Sequence, residues 1–123
     1  MGGNRPVWSA FDVLGSIGRG VYPPVAPADD SLFGAVAGTY VGRPGAGQPV
    51  EMVIVRDRRG LVCQTSDQEL NGRIAHLADD RFFYRVNPNQ RLVFLRDAFG
   101  EITALEITNL AYEGFHLRLR RVR

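Results

Sequence analysis

Leu92-Val93-Phe94-Leu95-Arg96-Asp97-Ala98-Phe99-Gly100-Glu101-Ile102-Thr103-Ala104-Leu105 reads as a β-hairpin. An apolar run leads into Arg-Asp, two turn residues and Gly, and a second strand-like run follows. The aspartate can accept backbone N–H bonds inside the turn, and the glycine supplies the positive φ that closes it. The same pattern stands upstream as Val53-Ile54-Val55-Arg56-Asp57-Arg58-Arg59-Gly60. Two similar hairpins follow, too short to mark a duplicated domain.

Working outward, the spacing predicts strands over Val36–Val41, Val50–Arg56, Leu61–Thr65, Arg73–Leu77, Arg81–Val86, Arg91–Arg96, Ile102–Thr108 and Phe115–Val122. Turn chemistry separates most of them, as at Gly45-Ala46-Gly47, Asn71-Gly72, Asp79-Asp80, Asn87-Pro88-Asn89 and Glu113-Gly114. Short links between successive strands favour an antiparallel up-and-down meander. About eight such strands curl into a small barrel or half-barrel. In the last strand Phe115, Leu117 and Leu119 alternate with His116, Arg118 and Arg120, so one face is apolar and the other basic. Arg81-Phe82-Phe83-Tyr84-Arg85-Val86 is apolar on both faces near its centre, which calls for a cover on the outside of the sheet.

Upstream of this β region the pattern changes. Val7, Phe11, Leu14 and Ile17 recur at helical spacing beside Trp8, with Asn4 as a cap and Pro6 in the first turn, and this predicts one short N-terminal helix. Val21 to Ser31 reads as an extended linker, set by Tyr22-Pro23-Pro24 and Pro27. The expected division is therefore 1–33 for helix and linker and 34–123 for an antiparallel β-barrel-like domain.

The length of 123 residues suits one domain. Hydrophobic residues at 45% and charged residues at 23% are near the globular average, enough for one core without staples. All fifteen basic residues are Arg, and the net charge is +2. The absence of Lys removes Schiff bases, P-loop phosphate binding and Ser–Lys nucleophile pairs. The mild charge, with no stacking aromatics beside Arg118, Arg120, Arg121 and Arg123, argues against a nucleic-acid partner. That basic cluster reads as a solvated face or a contact for an acidic partner surface.

The lone Cys63 cannot form an internal disulfide and reads as a buried small hydrophobe. His76 and His116 are the only histidines, too few and too isolated for a metal centre. No serine sits in a nucleophile elbow. The expectation is thus no catalytic residues, no cofactor and no metal. No run is long enough to span a membrane, and the N-terminus lacks a signal-peptide profile. The chain is expected to be soluble, in an undetermined compartment, and periplasmic or secreted if it is part of a longer precursor.

Candidate functional residues form two groups. Tyr40, Phe82, Tyr84, Phe94 and Phe115 are expected in the interior, as core filler or as the lining of a ligand cavity, and the sequence leaves both readings open. Trp8, Phe11, Arg118 and Arg120 are candidates to face a partner.

Phe33 through Tyr40, with Gly38-Thr39-Tyr40 opening the β region after a Pro-rich linker, resembles the start of a lipocalin-like C-terminal domain appended to serine hydrolases of the class C β-lactamase and esterase type. Leu77 to Phe83 is similar to its Leu-turn-Arg-Phe-Phe stretch, and Leu92 to Leu105 to its Phe-x-Arg-Asp-x-x-Gly-x-Val-x-x-Leu signature. Tyr22-Pro23-Pro24 resembles the segment that joins the catalytic domain to the appendage. The resemblance implies a lipocalin-like barrel without catalytic residues that packs on or modulates a serine hydrolase domain, on the same or a separate chain. The alternatives are a free-standing binder of a small apolar ligand and a module that forms a homo-oligomer through an edge strand or the N-terminal arm.

Overall fold

Val50, Met52 and Ile54 are buried while Glu51 is exposed, the period-2 signature of a strand with one face on a core. A computed structural model describes residues 22–45, 47–66 and 70–123. The expected N-terminal helix, with Trp8 and Phe11, lies outside the described residues. Eight strands follow one helix: α1 (Asp30–Val36), β1 (Gly38–Gly42), β2 (Val50–Asp57), β3 (Gly60–Thr65), β4 (Gly72–Ala78), β5 (Arg81–Tyr84), β6 (Asn87–Arg96), β7 (Ile102–Asn109) and β8 (His116–Arg121). Every pairing is antiparallel between chain neighbours, and β8 returns to β1 to close the barrel.

The two echoing hairpins are β2–β3 and β6–β7. In the first, Asp57 Oδ1 accepts from the Arg59 N–H at 2.8 Å. In the second, Asp97 Oδ1 accepts from the Phe99 and Glu101 N–H groups at 2.9 and 3.0 Å, and Gly100 takes φ 83°. The short polar side chain organises the turn and the missing Cβ lets it close.

Closure depends on close backbone approach. At the seam Arg120 stands opposite Val41 and Arg121 opposite Tyr40. Thr39 N–H donates to the Arg123 carbonyl at 2.6 Å, and Val122 N–H donates to the Thr39 carbonyl at 2.8 Å. A Cβ on Gly42 would overlap the Arg118 carbonyl oxygen, so the residue there must lack one.

The interior is filled from the strands' inner faces. Tyr40, Met52, Phe82, Leu92, Leu105, Ile107 and Leu119 have no exposed surface, so no water-sized gap touches them. The Tyr40 and Phe94 rings lie 5.9 Å apart, and Phe94 meets Phe82 edge to face at 5.4 Å. Tyr84 is buried too, its hydroxyl donating to the Leu70 carbonyl at 2.9 Å. Phe115 departs from the expectation. It is 40% exposed and precedes the first β8 pair, His116 with Thr108, so the alternation that buries Leu117 and Leu119 does not extend to it.

Helix α1 occupies a stretch expected as linker and incipient strand. Asp29 caps it, accepting from Leu32 N–H at 3.0 Å, and Leu32, Phe33 and Val36 are buried. Phe33 reaches Phe82 at 6.0 Å, so α1 plugs one mouth of the barrel. The helix end is clasped from the seam. Tyr40 Oη donates to the Val36 carbonyl at 2.7 Å, and the Arg121 guanidinium donates to the Ala35 and Ala37 carbonyls, each at 2.7 Å. These are carbonyls that a helix end leaves without intrahelical partners.

Residues 22–29 form a strap along the outside of β4 and β5. Tyr22 meets Phe83 edge to face at 5.3 Å, Pro23 is buried, and Ala26 N–H donates to the His76 carbonyl at 2.8 Å. Phe83 is fully buried on the outer face, so the strap supplies cover for the strand that is apolar on both sides. The turn expected at Asn87-Pro88-Asn89 falls instead at Arg85-Val86. Pairing jumps from Tyr84–Asn87 to Phe83–Arg91, so Pro88 sits in a bulge of β6, where its missing N–H costs no ladder bond.

Two outcomes check this packing by urea denaturation. Gly42→Ala is expected to destabilise by about 1–3 kcal/mol through overpacking at the seam. Gly34→Ala, in α1 with open space around its Cα, is expected to stabilise by up to about 1 kcal/mol. Unchanged or raised stability in Gly42→Ala would refute the seam account. Tyr40→Phe is expected to cost about 1–3 kcal/mol, because it leaves a buried carbonyl without its donor; unchanged stability would show that the Tyr40 hydroxyl contributes nothing to the clasp.

Candidate functional site

The wall of the barrel splits at one point, and a set of charged side chains converges there. β3 pairs with β4 only from Leu61–Ile74 to Cys63–Gly72, while β4 runs on to Ala78. Beyond Gly60 the partner of β4 is the strap, through the Ala26–His76 bond. Between strap, α1, the β2–β3 turn and β4 lies a groove of about 270 Å³. Val25, Ala26, Phe33, Ile74 and Ala75 supply apolar surface, and Arg56, Arg58, Arg59 and Arg85 supply positive charge.

The two carboxylates in the groove are already engaged. Arg73 grips Asp57 with two bonds of 2.7 and 3.0 Å. Those bonds, with the Arg59 N–H, hold the Asp57 carboxyl well below its usual value, at about 2. Asp30 pairs with Arg56, whose guanidinium also lies over the Phe33 ring at 5.9 Å. By contrast, the Arg58, Arg59 and Arg85 side chains make no hydrogen bond or ion pair among the described residues.

His76 lines the same groove but is committed elsewhere. Its ring stacks near Phe82 at 5.0 Å, Nε2 lies 2.8 Å from the Asp79 carbonyl and Nδ1 lies 3.4 Å from the Pro27 carbonyl. The His76 carbonyl holds the strap and its Nε2 faces the β4–β5 turn, where Asp79 takes φ 49°. His116 stands exposed on β8, with Nε2 3.4 Å from Glu106 Oε2.

Arg118 and Arg120 point outward, as their alternation predicts. Arg118 lies 3.6 Å from Glu106. With Arg43, Val41, Gly42 and Pro49 they line a second, shallower hollow of about 440 Å³ at the seam. Burial pushes the Cys63 thiol up to about 12, so it is held as an unreactive thiol inside the barrel. Ser31 and Ser66 are exposed, and neither bonds a histidine among the described residues. No three His, Cys, Asp or Glu side chains gather there as metal ligands, and no helix among the described residues is long and apolar enough to cross a membrane.

The groove has little trace in the sequence. One signal was available: the two hairpin turns differ at their tips, with Arg58-Arg59 in one and Ala98-Phe99 in the other. What the sequence lacked was the split in the wall that makes the tip one side of a concave surface. Compared with protein-family models, curated proteins and solved structures, the chain matches none.

The Asp57–Arg73 pair has a definite pH signature. The folded-state value lies below the ordinary 3.8, so the pair's contribution is full above about pH 4 and is lost as pH falls toward 2. NMR titration of the Asp57 carboxyl should show a midpoint near 2 that rises toward 3.8 in Arg73→Gln. A midpoint unmoved by that substitution would show that Arg73 does not hold the charge.

Proposed function

We propose that this chain is a non-catalytic accessory β-barrel that packs on or modulates a serine hydrolase domain, on the same chain or another. The observation that carries the reading is the filled interior. Tyr40, Phe82 and Phe94 pack on one another, which leaves recognition to the outer surface. A barrel that stores its aromatics inside and offers arginines outside suits docking better than enclosure of an apolar ligand. The likeness of Leu77–Phe83 and Leu92–Leu105 to the hydrolase appendages supports the choice of partner.

Two surface features fit such a role. On the β7–β8 loop Leu110, Tyr112 and Phe115 are exposed at the barrel end opposite α1. From there Arg118 and Arg120 continue along the outer face of β8. Aromatic and arginine side chains together are the residue types enriched at protein interfaces.

Two measurements test the proposal. The full chain is expected to give no turnover of p-nitrophenyl acetate or a chromogenic cephalosporin above buffer; hydrolysis abolished by mutating one serine would overturn it. Co-expressed with the serine hydrolase encoded nearest to it, the chain is expected to co-elute in size exclusion, and Tyr112→Glu with Arg118→Glu to separate the two. Separate elution of the unaltered chain at micromolar concentration counts against docking.

A further inference from the structure

The geometry points to the split in the barrel wall as a binding site for a small organic anion, one carrying a phosphate or carboxylate group on an apolar body. This goes beyond the accessory role and does not depend on a hydrolase partner. Three observations combine. The groove is concave and of small-molecule size, about 270 Å³. Its lining joins an apolar floor, Ala26, Ile74 and Ala75, to arginines from two separate turns. Its own acids are neutralised in place, Asp57 by Arg73 and Asp30 by Arg56.

That third point decides the sign of the ligand. Asp57 takes its side-chain hydrogen bonds from Arg73 and meets the Arg59 guanidinium only as a nearby charge, so the donors of Arg58, Arg59 and Arg85 are left unused among the described residues. Arg73 reaches across from β4 and takes both Asp57 oxygens, and this frees the two turn-tip arginines beside it. Arg58 and Arg59 stand on the β2–β3 turn, and Arg85 on the β5–β6 turn. A guanidinium offers paired N–H donors matched to the oxygens of a carboxylate or phosphate. Arginines approaching from two turns can grip one anionic group from two sides, while the ligand's apolar part rests on the floor between strap and β4.

The strap forms one wall of the groove through Val25, Ala26 and Ala28, and is pinned at Ala26 N–H by the His76 carbonyl. The site therefore exists only while the strap is seated.

The test is NMR titration of the ¹⁵N-labelled full chain with phenyl phosphate, phenylacetate and the uncharged benzyl alcohol, at low salt. Phenyl phosphate, phenylacetate or both should shift the amides of Arg59, Gly60, Ala75 and Arg85. Which of the two binds identifies the anionic group. Benzyl alcohol should bind at least tenfold more weakly. Arg58→Gln with Arg59→Gln should weaken binding about tenfold or more, and so should Arg85→Gln. Arg81→Gln, on the outer surface away from the groove, should stay within twofold. The turn-tip pair keeps its main-chain bond from Arg59 N–H to Asp57, so this variant reports on binding even if Arg85→Gln fails to fold. Equal affinity in the turn-tip variant, equal binding of benzyl alcohol, or shifts centred on Arg43, Arg118 and Arg120 would each overturn the assignment.

Discussion

β8 must come back to β1 for any of the rest to hold. A meander of eight strands has two raw edges until its ends meet, and here they meet over a short ladder, Arg120–Val41 and Arg121–Tyr40. The meeting is tight enough to demand glycine at position 42. It also brings Arg121 and Tyr40 to the place where α1 ends. Their donors satisfy the carbonyls of residues 35–37, which would otherwise be left at the barrel mouth. The bond that closes the wall and the clasp that seats the plug thus come from adjacent residues on the same two strands.

Seating α1 has consequences in both directions. Inward, Phe33 completes the aromatic stack that runs through Phe82 and Phe94 to Tyr40. Outward, the chain leading into the helix lies on β4 and β5, where it covers Phe83 and bonds His76. The strap takes the place of a sheet partner where β3 stops short of β4's end. A ladder that ends early on one side, with an irregular segment in place of the missing strand, leaves a concavity. The charged groove is that concavity, a by-product of strand lengths rather than of any one motif.

Charge in the groove is organised by pairs. Asp57–Arg73 and Asp30–Arg56 are partly exposed, and pairs of that kind contribute modestly to stability. Their larger effect is on what remains. With the acids hydrogen-bonded by Arg73 and Arg56, the donors of Arg58, Arg59 and Arg85 stay unused even though Arg59 shares the Asp57 charge, and a ligand meets net positive charge over an apolar floor. The interior, by contrast, carries Cys63 and Tyr40, whose ionisation burial opposes.

The alternation in Val50–Ile54 and Leu117–Leu119, and the Asp-x-x-Gly turns at Asp57 and Asp97, determined the strands, the hairpins and the meander from sequence alone. Those are local constraints, set by a side-chain period of two and by backbone that only a few residues can adopt. The helix at Asp30–Val36 was not legible, because seven residues have little helical tendency alone and this helix owes its place to burial against Phe82 and to donors from β8. Nor was the exposure of Phe115, since alternation carries a residue inward only while its strand is paired. Tertiary structure alone decided that the aromatics close on one another, that the linker is a strap, and that Arg58, Arg59 and Arg85 share one groove. Each of these depends on which distant segments meet when the barrel closes, and no pattern within a strand encodes that distance.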